Sequence, residues 1–72
     1  MKIVYDAEVD ALSITFREAT VTTQHVAEGI AVDHDSEGQL AGVEILDAAR
    51  QFGGRETLRQ VVMEGVGLAT TT

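Results

Sequence analysis

Apolar and polar residues alternate with period two over most of the first 46 positions, the signature of half-buried strands. Ile3 to Tyr5 is a short β-rich run, and Leu12-Ser13-Ile14-Thr15-Phe16 alternates cleanly after the polar interval Asp6 to Asp10. These two runs are expected to pair as a hairpin. Residues 20 to 26 are rich in β-branched side chains but weakly amphipathic, which suits an edge strand or one whose second face meets another subunit. Ile30 to Asp33 resumes the alternation, Asp35-Ser36-Glu37-Gly38 is turn chemistry, and Gln39 to Ile45 forms the next strand. In that strand Leu40 falls on the opposite parity from Val43 and Ile45, so a bulge is expected at Ala41-Gly42.

The period changes in the last third. Asp47 is placed to cap a short helix over Ala48 to Phe52, which Gly53-Gly54 stops. From Glu56 to Glu64 the apolar positions Leu58, Val61 and Val62 recur at helical spacing, so a second, amphipathic helix is expected there. Order is expected to end at Gly65 to Leu68, giving one domain over residues 1–68 and a frayed tail over 69–72. The predicted fold is α+β: a small antiparallel β-meander of four to five strands followed by a short C-terminal helical segment laid on its apolar face.

Size and charge sharpen this reading. Seventy-two residues with no cysteine and only three aromatic side chains, Tyr5, Phe16 and Phe52, give a thin core with no disulfide to staple it, so a homodimer is expected. The net charge of −7 is unevenly placed: ten acids up to Asp47 face only Lys2 and Arg17, whereas Arg50, Arg55 and Arg59 follow against Glu56 and Glu64. A body with a single lysine lacks the clustered cations that nucleic-acid binding and anionic membranes require. It suits a cation or a basic protein partner drawn in by its field. No apolar run spans a bilayer and the start lacks a signal-peptide core, so a cytoplasmic protein is expected.

The segments Tyr5-Asp6-Ala7-Glu8-Val9-Asp10-Ala11-Leu12 and Gly29-Ile30-Ala31-Val32-Asp33-His34-Asp35-Ser36-Glu37-Gly38-Gln39-Leu40-Ala41-Gly42-Val43-Glu44-Ile45-Leu46-Asp47-Ala48 carry a resemblance. They resemble a family of short prokaryotic proteins, the domain of unknown function 2283, over about the first 50 residues. The resemblance implies a small sheet-based fold and no established enzymatic activity. Some members resemble the small partner of two-gene toxin and antitoxin-like modules, while the chain after Gly53 departs from the pattern.

The sharpest chemical motif is an acidic one. With Asp33 as position one, Asp35, Glu37, Gly38, Leu40 and Glu44 fall in the register of a calcium loop, although Glu37 is longer than usual and the flanks are strand-like rather than helical. Asp33, Asp35, Glu37 and Glu44 are therefore the candidate metal ligands, set against the simpler reading of a solvated turn. Asp6, Glu8 and Asp10 could likewise chelate a hard cation or merely stay hydrated. His25 and His34 lack zinc spacing within one chain and would meet only across a dimer axis.

Neither Ser13 nor Ser36 sits in a nucleophile motif, and the glycines form no phosphate loop, so no enzyme activity and no cofactor are expected. Arg55, Arg59, Leu58 and Val62 are the candidate partner-binding residues of the second helix, unless that helix simply covers its own sheet. The leading expectation is a protein-binding module, an antitoxin-like neutraliser of a basic partner. The alternative is weak calcium binding by the Asp33 to Glu44 hairpin.

Overall fold

The computed structural model describes residues 1–67. The expectation of a frayed tail at 69–72 lies outside the described residues. Five strands form one antiparallel sheet: β1 (Lys2–Asp6), β2 (Ala11–Thr15), β3 (Thr22–Ala27), β4 (Ile30–His34) and β5 (Leu40–Leu46). A single helical turn, α1 (Ala48–Gln51), and a 3-10 turn over Arg55–Arg59 follow. The predicted fold class is observed: an antiparallel sheet with a short C-terminal helical segment.

The order across the sheet is β1-β2-β5-β4-β3, so the strict sequence of a meander is broken once. β1 and β2 make the expected hairpin, with Ile3 opposite Ile14 and Tyr5 opposite Leu12. β3, β4 and β5 make a second antiparallel run, and β5 joins the two by pairing with β2. β3 therefore lies at an edge, every residue exposed, as its weak amphipathicity implied.

The join depends on the bulge that the change of parity predicts. Asp33 faces Gly42 and His34 faces Leu40, which leaves Ala41 as the extra residue. Its carbonyl accepts the backbone N–H of Phe16 at 2.8 Å and, more weakly, that of Arg17 at 3.4 Å, so the bulge fixes where the chain leaves β2. A second irregularity, between His25 and Ala27, bends β3.

Strand pairing sorts the side chains into two faces. On one, Ile3, Ile14, Val43 and Val32 line up across four strands, and Tyr5, Leu12, Ile45 and Ile30 form the next row. On the other, Val4, Ser13, Glu44, Ala31 and His25 make one row and Lys2, Thr15, Gly42, Asp33 and Thr23 the next. The core is shallow. Leu12, Ala31, Ala41 and Ala48 are its buried apolar residues, and no large side chain is fully buried among the described residues.

The helical segment departs from expectation in two ways. Asp47 flanks α1 in a left-handed conformation (φ 52°, ψ 41°) and its carboxylate makes no cap; it pairs with Arg50 at 3.0 Å instead. The amphipathic helix over Glu56 to Glu64 is replaced by the 3-10 turn, with Gln60 extended (φ −140°, ψ 130°) and Val61, Val62 and Met63 exposed. Nine residues with two adjacent β-branched valines are too short a helix to hold without a surface to pack on; the 3-10 turn meets α1, but Val61, Val62 and Met63 beyond it are exposed.

Candidate functional site

The β1–β2 loop and the β5–α1 junction meet at Asp10. The carboxylate Oδ1 of Asp10 accepts the Tyr5 hydroxyl at 2.6 Å and the Ala49 backbone N–H at 2.9 Å, while its carbonyl takes the Ala48 N–H at 3.0 Å. Asp10 thus caps a helix 39 residues away in sequence. The hydroxyl of Tyr5 and the N–H of Ala49 hold the Asp10 carboxyl below its ordinary value, and the same bond holds the Tyr5 phenol above its own. Arg55 adds a bond of 3.2 Å to the Ala7 carbonyl. Asp6 accepts the Glu8 N–H at 3.0 Å and tightens the loop. The loop acids Asp6 and Asp10 are therefore structural acceptors, a role that alternation of acids in the sequence does not signal.

The Asp33 to Glu44 hairpin divides its four carboxylates among different tasks. Asp35 is taken up by the turn: its Oδ1 accepts the N–H groups of Glu37 and Gln39, each at 2.9 Å, and Arg17 closes an ion pair on its other oxygen. Gly38 completes the turn at φ +82°, and Glu37 points into solvent. Asp33 and Glu44 lie together on the polar face, on neighbouring strands, away from Asp35 and Glu37. Among the described residues no three His, Cys, Asp or Glu side chains converge as a metal site. The register of a calcium loop does not bring its ligands together here, because the paired strands carry Asp33 and Glu44 on the polar face while Asp35 is held by the turn and Glu37 is exposed.

Asp33 and Glu44 form the site with the most chemistry. Thr23 on β3 donates its hydroxyl to Asp33 at 2.6 Å. The second carboxylate oxygen of Asp33 lies over Gly42, where a Cβ would come within 3.1 Å of it and 2.9 Å of the Ile14 carbonyl. Glycine at 42 is what lets the carboxylate settle on the sheet. The charge of Asp33 raises the Glu44 carboxyl above its ordinary value, with partial burial and a side-chain hydrogen bond to Asp33 acting the same way and nearby His25 opposing them.

Small residues around Glu44 leave an open cleft of ≈230 Å³, lined by Thr23, His25, Gly29, Ala31, Glu44 and Leu46. Asp33 lines the neighbouring depression of ≈380 Å³ with Thr15, Arg17 and Val21. Neither carboxylate takes part in the three ion pairs of the described residues. Sequence spacing pointed to the Asp33 and Glu44 pair; it did not point to Thr23 or His25, which strand register alone brings beside them. His34 lies off that face, opposite Leu40 and Thr22, so the two histidines do not meet within the chain.

The proposed partner-binding residues are dispersed. Arg55 is tied to Ala7, Arg59 lies 3.5 Å from Glu56, Leu58 is half-buried and Val62 is exposed on the extended segment beyond the turn. They form no single helical face.

Residues 2–48 match the protein family described as "Protein of unknown function (DUF2283)". The chain belongs to the DUF2283 family. The matched span is the five-stranded sheet through Ala48, so both motifs that carried the resemblance fall inside it and meet at the contact of Asp10 with Ala48 and Ala49. The DUF2283 match ends before the 3-10 turn and the extended segment. No curated protein and no solved structure matches the chain. Among the described residues no helix is long and apolar enough to cross a membrane.

Proposed function

We propose that this chain is a non-enzymatic protein-binding module of the cytoplasm, an antitoxin-like neutraliser that engages a basic protein partner through its acidic face. The observation that carries the reading is the Asp33 and Glu44 pair, two adjacent carboxylates beside an open cleft, neither of them in an ion pair among the described residues. A guanidinium or ammonium group entering that cleft would relieve the repulsion between them and find Thr23 as a neighbour. The surrounding net charge of −7 would steer such a partner in. The exposed apolar residues Val61, Val62 and Met63 offer a second contact.

The test is affinity capture from native lysate at low salt, run in parallel with an Asp33→Asn, Glu44→Gln variant. One basic protein recovered in fixed ratio, released by salt and lost in the variant, is the expected result. Recovery of the chain alone, or equal recovery by the variant, contradicts the reading. A cation held between the same two carboxylates is the second reading. A melting temperature that rises with millimolar calcium and stops rising in Glu44→Gln would favour it over the protein partner.

A further inference from the structure

Going beyond the acidic cleft, we propose that the opposite, apolar face of the sheet is the interface of a homodimer, in which two copies pack face to face as a two-layer sandwich. Three observations lead there. The first is area. A compact monomer of this mass exposes about 4,300 Å², whereas this chain exposes 5703 Å². The excess, roughly 1,400 Å², is shared between the exposed segment after Gln60 and the open faces of the sheet.

The second observation is what lies on the face. Ile3, Ile14, Ile30, Val32, Val43 and Ile45 are contributed by four adjacent strands, and Ile3 remains 42% exposed while the rest are only half-buried. Among the described residues, α1 and the 3-10 turn pack chiefly on each other and are anchored at the Asp10 end of the sheet, so they form no second layer over these strands. A sheet with one apolar side needs a second layer.

The third is charge, and it selects the occupant. None of the paired strand positions on this face is Asp, Glu, Lys or Arg, whereas the other face holds Lys2, Asp6, Asp33 and Glu44. Two copies that each carry −7 repel least through a face free of that charge, and this face is free of it. The same twist in both copies makes the face self-complementary under a two-fold axis, with the sheets ~10 Å apart and their strands about 30° from alignment. The acidic clefts then face outward on both sides of the dimer.

The test combines sedimentation equilibrium at micromolar concentration with isotope-filtered NMR on a mixture of labelled and unlabelled chains. Expected are twice the 7.7 kDa chain mass and intermolecular contacts among the methyl groups of Ile14, Val32, Val43 and Ile45. Val32→Glu is expected to weaken association at least tenfold, and Val4→Lys, on the other face, to leave it unchanged. A mass of 7.7 kDa overturns the proposal. So does a dimer whose intermolecular contacts come from the β1 or β3 edge or from the polar face. Neither outcome touches the acidic-cleft reading, which stands or falls on partner capture.

Discussion

Asp10 shows how much one side chain can organise in so small a protein. Its carboxylate joins the Tyr5 hydroxyl to the first turn of α1, and it does so from a left-handed backbone position (φ 54°) that Asp tolerates better than most residues. Asp10→Ala removes the cap and strains the loop, and is expected to lower the melting temperature by on the order of 5 °C. Tyr5→Phe should lower it less, and the double variant should fall short of the sum because both changes remove one shared bond. Thermal melts of the four proteins check this.

The two perturbed carboxylates have opposite pH signatures. The native Asp10 carboxyl lies below its ordinary value, so its contribution is present above the unfolded value and is lost as the pH falls through the native one. Glu44 lies above its ordinary value, so it favours the native state in acid and loses that contribution as the pH rises through the native value. Glu44→Gln is therefore expected to be more stable than the parent at pH 7 and to lose that advantage toward pH 4. Urea midpoints at the two pH values decide it, and an advantage that grows in acid would sink the assignment.

At the scale of elements, the strands were legible and their neighbours were not. Period-two alternation together with β-branched runs located all five within a residue or two, and the parity break at Leu40 located the bulge at Ala41. The pairing of β2 with β5 escaped the sequence because it joins residues some 30 apart, and local patterning carries no information about which edges meet. Helical spacing after Glu56 misled for a related reason: periodicity describes a face, but a short helix persists only where another surface takes that face. Asp47 satisfied the residue preference for a cap, yet the long-range Asp10 took the position. The Asp33 and Glu44 pair was visible as acids on opposite strands, whereas Thr23 and His25 entered the site through strand register.

Two predictions belong at this scale. Gly42→Ala places a Cβ within 2.9 Å of the Ile14 carbonyl, which cannot move without disturbing the β2–β5 ladder. It should cost about 1–3 kcal/mol in a urea melt. Amide exchange should be slowest on β5, which has a partner on both sides, and fast over residues 61–67, where no hydrogen bond among the described residues fixes the backbone.

The whole molecule is a single twisted layer with two unlike faces. One face carries two adjacent carboxylates outside the ion pairs of the described residues and an open cleft; the other carries aliphatic side chains that are half-buried or exposed. A chain of 72 residues without a disulfide has little else to draw on for stability. Pairing through the apolar face would supply the missing second layer and leave two acidic faces outward, which gives a partner protein two equivalent sites. Folding and association then become one equilibrium.

That linkage makes the most direct measurement a simple one: the urea midpoint of the wild-type chain followed by circular dichroism from low-micromolar to near-millimolar protein. If a second copy completes the core, the midpoint rises steadily with concentration, as it must when two unfolded chains form one folded dimer. A folded chain whose midpoint is the same at every concentration would contradict the account, because the single layer would then be stable by itself.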